Sequence, residues 1–574
     1  MEESLLPPST EERLHLARVA RGLEPADTLI RGGKVINVYS GEILAANVAV
    51  ARGRIAYVRP AELKEGPAEQ VTNADGCLLC PGYMEGHCHP WVIYNPLTLE
   101  NVVLPLGTTT HIADNLPFYQ YGGELVFKEL VRMMEKSNSR FFWTTRAIPQ
   151  SMLPDENTNY SPENIETLLE MPQVVAIAEI TRWKKLLQDP PSFMQKFEAA
   201  ASRSKPVDGH TAGCNIDDLN ALAALGIASC HEPINGEEAL ARLRLGLWTM
   251  VRNSSIRPDL ESILTHLLQA GVSLNRLIMT TDAPEPTFVA KNGYIDGLLK
   301  IALHVGVDPL TAIRMVTLNP AVYYGLDADL GGIAPGRYGD ILFLEDLQQP
   351  SPAAVMVEGE IVSRHGTLCK EEYGINWSDM GFHSRFSVPC LNDHSALTPR
   401  EGEVPIIELV SSGITRLGSI HWDGKALPPG LQYCCLLGRR GEYAHACFIR
   451  GFAEGVRGLA TSFTTSMGIL LLGNSPKAMF KAARRLCELS GGIVLWEGDA
   501  CLLELSLQIG GMMSPLPLPE VVPRLKELFE LVRQRGFKHN DLLLSLLFLS
   551  CDFLPETRIT PLGVLDVKKY KIIY

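Results

Sequence analysis

Two histidines separated by one residue, His87 and His89, end an apolar run that begins near Cys77. Side chains at i and i+2 of a β-strand point to the same side, so both imidazoles can bind one metal ion while Cys88 points away. A Pro-Gly turn and a second glycine precede the pair, and glycine lets a backbone approach an ion closely. A lone His-X-His is more often a packing feature, so a metal site requires further ligands.

Three further candidate ligands, Glu179, His231 and Asp282, follow later apolar runs, and a fourth, His210, lies between glycines just before a helical segment. A carboxylate at the end of a buried strand costs several kcal/mol if it is unpaired, so Glu179 is expected to meet a metal ion or a cation. Taken by itself, Glu179 could instead pair with Arg182 or Lys184. Each histidine alone is more often an ordinary histidine, and Asp282 alone could serve as an N-cap.

Together the six residues supply enough nitrogen and oxygen donors for two divalent ions rather than one closed structural zinc site. Two such ions lower the pKa of a shared water toward neutrality, which makes hydrolysis the predicted reaction class. Asp282 is the candidate that accepts the proton of this water and passes it to the leaving group. Glu232, which follows His231, is the second candidate for this role.

Elements between the candidates must bring them together, and apolar runs alternate there with helical patterns. We predict strands at 108–113, 140–144, 174–178, 228–230 and 277–280, and helices at 124–135, 217–224, 237–251 and 295–304. Such alternation predicts an α/β fold with a (β/α)8 barrel over 81–332, whose strands carry chemistry at their C-terminal ends. A doubly wound sheet is the alternative fold, although no Gly-X-Gly-X-X-Gly turn supports it.

The flanking segments have different patterns. We predict an N-terminal helix near 11–21 and the first part of a small β-sandwich domain within 1–80, whose second part is 333–370. Residues 371–404 are predicted to be a linker, and 405–574 a C-terminal α/β domain.

Composition excludes several classes of protein. The net charge of −13 argues against a broad nucleic-acid-binding surface and favours a small-molecule substrate. Met1–Ser4 lacks the basic and apolar parts of a secretory signal, and no uncharged span is long enough to cross a bilayer, so we expect a cytoplasmic protein without a membrane partner. The 13 cysteines are scattered and indicate neither a disulfide framework nor a zinc knuckle.

The order of the motifs resembles that of the adenine deaminases in the amidohydrolase superfamily. The matching motifs are Pro81–His89, Gly107–Thr110, Gly209–Gly213, Asp218–Ala221, His231-Glu232, Thr281-Asp282, Thr317–Ala321 and Ile333–Arg337. The resemblance implies a (β/α)8 barrel with a two-part β-domain and a C-terminal α/β domain. It also implies a binuclear centre, with Mn²⁺ first and Fe²⁺ or Zn²⁺ as alternatives, that hydrolyses the 6-amino group of adenine to give hypoxanthine and ammonia.

The resemblance also assigns roles to the candidate residues. His87 and His89 would hold the first ion, Glu179 would bridge, and Asp282 would be both ligand and proton carrier. His210 and His231 would hold the second ion. A homo-oligomer, in the simplest case a dimer, is expected.

Several residues near the expected pocket depart from the family pattern. Where adenine deaminases usually read Asp-Gly-His-Val-His-Ile-Glu-Ser, this chain has Glu85–Val92, and the usual Thr-Asp-Asp becomes Thr281-Asp282-Ala283. The usual C-terminal His-Asp-Ser-His-Asn becomes Phe463–Met467. If Pro90, Trp91, Ala283 and the segment 464–466 line the pocket, a related or less polar amino-heterocycle could replace adenine. Hydrolysis of a cyclic amide or another C–N bond, and a catalytically silent binding protein, remain the alternatives.

Overall fold

A computed structural model of the chain describes residues 8–370, 373–382, 386–387 and 395–574. The acidic segment Met1–Ser4 and part of the predicted linker 371–404 lie outside the described residues. Helix α1 (Thr10–Ala20) agrees with the helix predicted near 11–21. It begins with a capping box in which Ser9 and Glu12 exchange hydrogen bonds, which satisfies backbone donors at the start of the helix.

Six short strands follow α1 and belong to one large sheet. They are β1 (Ala26–Arg31), β2 (Lys34–Asn37), β3 (Glu42–Ala51), β4 (Arg54–Pro60), β5 (Ala68–Asn73) and β6 (Leu78–Pro81). At Gly82 the chain leaves this sheet and enters a second one. The apolar run that begins near Cys77 therefore contains two strands rather than one.

The second sheet consists of eight parallel strands that neighbour each other in strict chain order. They are β7 (Tyr83–Cys88), β8 (Thr108–Asp114), β9 (Arg140–Thr145), β10 (Val174–Ile180), β11 (Val207–Gly209), β12 (Ile227–Cys230), β13 (Trp248–Arg252) and β14 (Leu277–Thr280). The amide of His89 donates to the carbonyl of Asp282 at 3.0 Å, which brings the ends of β7 and β14 together.

Helices connect the parallel strands and follow the last of them. They are α2 (Pro96–Val103), α3 (Leu116–Met134), α4 (Glu156–Asn159), α5 (Pro162–Leu169), α6 (Trp183–Gln188), α7 (Pro191–Ala201), α8 (Ile216–Ala224), α9 (Gly236–Arg244), α10 (Leu260–Gln269), α11 (Pro286–Asn292), α12 (Ile295–His304), α13 (Pro309–Arg314) and α14 (Leu318–Tyr323). Their apolar sides pack on the strands, which leaves the C-terminal strand ends to the connecting loops.

One predicted helix is wrong in part. The prediction ran from 237 to 251, but α9 ends at Arg244 and the residues from Trp248 onward form β13. Gly246 has a φ of +78°, a left-handed conformation that ends a helix without the steric cost of a Cβ atom. The β-branched Thr249 and Val251 favour the strand that follows.

The chain returns to the first sheet after α14. Strands β15 (Ile341–Leu344), β16 (Ala354–Val357), β17 (Glu360–Arg364) and β18 (Thr367–Leu368) extend it to ten strands. Strand β15 pairs antiparallel with β6, and Leu342 lies opposite Cys80. Segments before and after the parallel sheet therefore build one sheet together.

The C-terminal region contains a third sheet of eight strands, in which only β19 and β22 pair in parallel among the described strands. Its elements are a 3₁₀ helix (Ser395–Leu397), β19 (Gly402–Leu409), β20 (Thr415–Trp422), β21 (Gln432–Leu437), β22 (Ala444–Arg450), β23 (Gly458–Thr461), β24 (Ile469–Gly473), α15 (Pro476–Glu488), β25 (Gly492–Glu497) and β26 (Ala500–Ser506). Helices α16 (Leu518–Gln534) and α17 (Leu542–Phe548) and the strands β27 (Thr557–Thr560), β28 (Gly563–Asp566) and β29 (Lys571–Ile572) end the chain.

The mixture of helices with parallel and antiparallel sheets confirms the predicted α/β class. In the part of the chain that the structure describes, no helix has both the length and the apolar character needed to cross a membrane.

Glu100 in α2 generates a prediction about stability. It is 2% exposed, and burial raises the pKa of its carboxyl to about 8. As pH rises from about 4.5 toward that value, only the unfolded chain loses the proton, so the free energy of unfolding falls by several kcal/mol and then levels off. Glu100→Gln should therefore melt at a higher temperature than the wild type near pH 8.5, with a difference that shrinks toward pH 5.

Glu62→Gln, at an exposed position, is the matched control and should melt like the wild type at every pH. The measurement is a melting temperature for all three proteins across this pH range. A constant offset between Glu100→Gln and the wild type would show that Glu100 is ionised in the folded protein.

Candidate metal centre and active site

The parallel sheet brings all six predicted ligands to one edge, at the C-terminal ends of five strands. His87 and His89 belong to the end of β7, Glu179 to β10, His210 to the residue after β11, His231 to the residue after β12, and Asp282 to the loop after β14. Parallel neighbours place equivalent ends side by side, so residues nearly 200 positions apart become neighbours. Glu232 lies at the same edge.

Close packing of these strands depends on two glycines. A Cβ atom on Gly86 would lie 2.8 Å from Cγ2 of Ile278, and one on Gly209 would lie 2.7 Å from Cγ2 of Ile227. Both distances are too short for real carbon contacts. Glycine beside His87 and His210 therefore lets the neighbouring strands approach closely enough for their ligands to converge.

One half of the cluster contains His87, His89 and Asp282. Asp282 Oδ1 lies 3.0 Å from Nε2 of His89 and 3.7 Å from Nε2 of His87. Asp282 has a φ of +61°, a left-handed conformation that is uncommon outside glycine and concentrates at functional sites. The loop after β14 is thus bent so that this carboxylate faces both imidazoles.

The other half contains Glu179, His210 and His231. Glu179 Oε2 lies 2.6 Å from Nδ1 of His210 and 2.8 Å from Nε2 of His231. The other oxygen of Glu179, Oε1, is 3.9 Å from Nε2 of His89. Glu179 therefore lies between the two pairs of histidines, with one oxygen on each side.

A buried arginine and a glutamine hold Glu179 in this position. Oε1 of Glu179 accepts hydrogen bonds from Arg146 Nη2 and Gln150 Nε2, both at 2.7 Å. Arg146 is fully buried and also donates to Asp114 at 2.5 Å. Burial alone would raise the pKa of Glu179, but Arg146 and the neighbouring histidines outweigh it and hold that pKa well below its usual range.

Two further carboxylates contact the outer sides of the imidazoles. Asp208 Oδ2 lies 2.8 Å from Nδ1 of His231 and 3.6 Å from Nδ1 of His87. Asp114 Oδ1 lies 3.5 Å from Nδ1 of His89. In each ring Nε2 is left for the centre of the cluster, an arrangement that fixes the orientation of metal-binding histidines.

The two buried histidines of β7 have opposite proton affinities. Burial lowers the pKa of His87 to about 3, helped by the nearby His231 and His89. Burial acts in the same direction on His89, but the carboxylates of Asp114 and Asp282 outweigh it and raise the pKa to about 9. His87 is thus neutral, the form in which an imidazole binds a metal ion.

Arg252, at the end of β13, joins the two candidate proton carriers. Its Nη1 atom contacts Asp282 Oδ2 and lies 2.6 Å from Glu232 Oε1, while Arg257 Nη1 is 3.3 Å from Glu232 Oε2. Burial opposes ionisation of both carboxylates, but Arg252 outweighs it and lowers the pKa of each. Both groups are therefore ionised and able to accept a proton.

The donor atoms fit divalent metal ions. His87 Nε2 is buried and has no hydrogen-bond partner among the described residues, as expected for a nitrogen reserved for a ligand. His87, His89 and Glu179 form one group of ligand atoms within 4.8 Å of one another, and Glu179, His210 and His231 form a second. Bonds of about 2.1 Å to one ion place ligand atoms about 3 Å apart, which is close to the separations observed.

A cavity of about 290 Å³ opens onto this cluster. Its inner wall contains His89, Glu179, His210, Glu232, Arg252 and Asp282. Trp91 and Ala283 line it as well, so two of the departures from the family pattern face the pocket. Pro90 and the segment 464–466 are not part of the lining, so the condition for an altered substrate preference is met by Trp91 and Ala283 alone.

Sequence reasoning missed four residues that position the ligands: Asp114, Arg146, Asp208 and Arg252. Asp114, Asp208 and Arg252 lie within strands of the parallel sheet, and Arg146 follows β9 directly. Asp114 directly follows the predicted strand 108–113, as Glu179 follows 174–178, but its partners lie on other strands and could not be identified from the sequence.

Comparison with protein families identifies the class of protein to which this chain belongs. Residues 78–362 match the amidohydrolase family, and residues 423–571 match the adenine deaminase C-terminal domain. The protein is thus an amidohydrolase with an additional matched region at its C-terminal end.

Relatives over the full length give the particular family. The chain is similar to adenine deaminase of Moorella thermoacetica, with 30% identity covering 99% of this chain and 98% of that protein. A provisionally named adenine deaminase of Halalkalibacterium halodurans is 34% identical and covers 97% of this chain and 96% of its own. Adenine deaminase of Cenarchaeum symbiosum is 30% identical over 97% of this chain and 94% of its own length. The chain belongs to the adenine deaminase family, which confirms the predicted resemblance.

Asp208 provides a test of the outer carboxylates. Asp208→Asn keeps the volume of the side chain but removes the charge that orients His231, so we expect metal affinity or activity to fall by about 10- to 100-fold. Calorimetric titration of the metal-free protein with Mn²⁺ measures the affinity. Ser229→Ala is the control, because Ser229 donates to the other oxygen of Asp208 at 2.6 Å and does not contact His231 Nε2. Equal affinities in Asp208→Asn and wild type would contradict the orienting role.

Proposed function

We propose that this protein is a metal-dependent aminohydrolase that converts adenine and water to hypoxanthine and ammonia, or performs the same reaction on a related amino-heterocycle. The observation that carries the proposal is the position of Glu179 between two pairs of histidines, with Asp282 against His87 and His89. Membership of the adenine deaminase family supports the same reaction.

Two divalent ions fit the two halves of the cluster. His87 and His89 would hold the first, His210 and His231 the second, and Glu179 would contact both. Asp282 would be a further ligand through Oδ1. We propose Mn²⁺, with Fe²⁺ or Zn²⁺ as alternatives; when bound, such ions supply Lewis acidity that lowers the pKa of water toward neutrality.

The protein's own residues move the proton. Asp282 is ionised beside Arg252, so its carboxylate can accept a proton from the attacking water and pass it to the departing amine. Arg252 fixes the carboxylate from the opposite side and keeps its orientation during the transfer. Glu232 shares this arginine and is the second candidate for the proton.

The pocket agrees with a flat heterocycle of modest size. A volume of about 290 Å³ is at the lower end of small-molecule pockets. Trp91 and Ala283 contribute apolar surface, while Gln150 and Arg257 contribute hydrogen-bond donors at the wall. The comparisons do not favour hydrolysis of a cyclic amide, and a silent binding protein has no need of six converging ligands.

The proposal extends to the organisation of the chain. We propose that β7–β14 and their helices form a (β/α)8 barrel over 81–332, that 1–80 and 333–370 form the two-part β-domain, and that 405–574 is a separate α/β domain. The homodimer and the cytoplasmic location expected from the sequence remain predictions.

Metal content tests the ligand set. His87→Ala combined with His89→Ala removes both imidazoles of one half, so we expect the purified double variant to hold at least one ion fewer than the wild type. Elemental analysis of both proteins after loading with Mn²⁺ measures this. His111→Ala is the control, since His111 is buried on β8 outside the ligand groups. Unchanged metal content in the double variant would contradict the proposed site.

Activity tests the reaction and the proton carrier together. The Mn²⁺-loaded wild type should release ammonia from adenine and form hypoxanthine, and Asp282→Asn should lower kcat by about 10²- to 10⁴-fold because an amide cannot accept the proton. Ammonia assays across adenine, aminopyrimidines and cyclic amides measure substrate preference. Release of ammonia from none of the amino-heterocycles would overturn the function, whereas normal kcat in Asp282→Asn would assign the proton to Glu232.

A further inference from the structure

The outer wall of the cavity comes from the C-terminal region, far along the chain from the ligands. Residues 411–414, between β19 and β20, line it together with residues 538–540 and part of the α17 region. The residues after α17 add Phe553 and Leu554 to the lining. The ligand cluster and the outer wall of the cavity are therefore contributed by different regions of the chain.

Phe553 is an aromatic residue of this wall that contacts the ligand cluster directly, at His210. Its ring centroid is 5.2 Å from that of His210, at an interplanar angle of 77°. The ring of Phe548 packs edge to face against the ring of Phe553, with a centroid distance of 6.1 Å. Phe553 remains partly exposed, and it borders the cavity rather than the core.

Hydrogen bonds fix the segment that carries Phe553. The preceding residue, Asp552, is buried and pairs with the buried Arg182, and its amide donates to the carbonyl of Gln150 at 3.1 Å. Ser151 Oγ donates to the carbonyl of Ser550 at 2.7 Å. Gln150 in turn donates to Glu179, so one residue joins the outer wall to the ligand cluster.

A second buried arginine ties the two C-terminal loops together. Arg558 donates to the carbonyls of Gly413 at 2.6 Å, Pro555 at 2.9 Å and Leu554 at 3.1 Å. Its side chain is fully buried. Hydrogen bonds thus hold the wall before and after Phe553. A surface that selects among ligands by shape requires such support.

We propose that Phe553 is a specificity-determining residue, whose ring packs against the aromatic ring system of the substrate while the ligand cluster acts on the amino-bearing carbon. The inference rests on the proposed function and adds the structural basis for choosing a flat aromatic heterocycle. Aromatic side chains stack on any nucleobase because every base has a π-face. A non-planar cyclic amide lacks that face, so Phe553 would favour aminopurines over such compounds.

The experiment compares Phe553→Leu with the full-length wild type, both loaded with Mn²⁺. We expect KM for adenine to rise about 5- to 50-fold, since stacking on the bound base is lost. Metal content should stay unchanged and kcat should stay within about threefold, because Phe553 supplies binding rather than proton transfer. Phe553→Tyr should restore most of the affinity by restoring the ring. The rise in KM should be smaller for a single-ring aminopyrimidine than for adenine.

Phe529→Leu is the matched control, because Phe529 is a partly exposed residue of α16 that does not line the cavity. A wild type that deaminates adenine, together with equal KM values for Phe553→Leu and Phe529→Leu, would overturn the inference and leave the proposed function standing. A wild type that releases ammonia from none of the amino-heterocycles and does not bind adenine in equilibrium dialysis would overturn both. Loss of metal from Phe553→Leu would also overturn the inference, since it would assign Phe553 a structural role at His210.

Discussion

The arrangement of the site depends on one buried guanidinium group. Arg146 is fully enclosed and pairs with Asp114 and Glu179, and each of these carboxylates in turn contacts histidines of the cluster. A buried charge without a partner costs several kcal/mol, so removing Arg146 would leave two carboxylates uncompensated at the same edge. Because Arg146 holds Glu179 by one oxygen, the other is directed at His210 and His231. The positions of His89, His210 and His231 thus depend on a cation that is not part of the cavity lining.

Much of the fold could be predicted from the sequence because burial leaves a strong local signal. Strands of a parallel sheet are buried on both sides and read as continuous apolar runs, as at 174–178 and 277–280. Such runs correspond to β10 and β14. The helix predicted at 237–251 failed where local patterns are least informative, since Gly246 separates two segments whose apolar residues keep a helix-like spacing. Which strands neighbour each other was not visible in any local pattern.

The ligands could be predicted for the same reason, and their supporting residues could not. Glu179, His231 and Asp282 stand out because a polar residue after an apolar run needs a partner. Asp208 lies inside a strand and Asp114 ends one. Their roles are evident only from the imidazoles that they contact on other strands. Their partners are residues of other strands, and a single sequence carries no record of those pairings. For the same reason, the sequence did not show that C-terminal residues line the cavity. Gln150 connects that wall to the ligand cluster.

The distance along the chain between cluster and wall has a consequence for biosynthesis. Every ligand candidate precedes residue 283, whereas Phe553 comes much later in the chain, after α17. Translation proceeds from the N-terminus, so the six candidate ligands leave the ribosome before the segment that carries Phe553. Any metal binding by the nascent chain would therefore come before the outer wall of the cavity is in place.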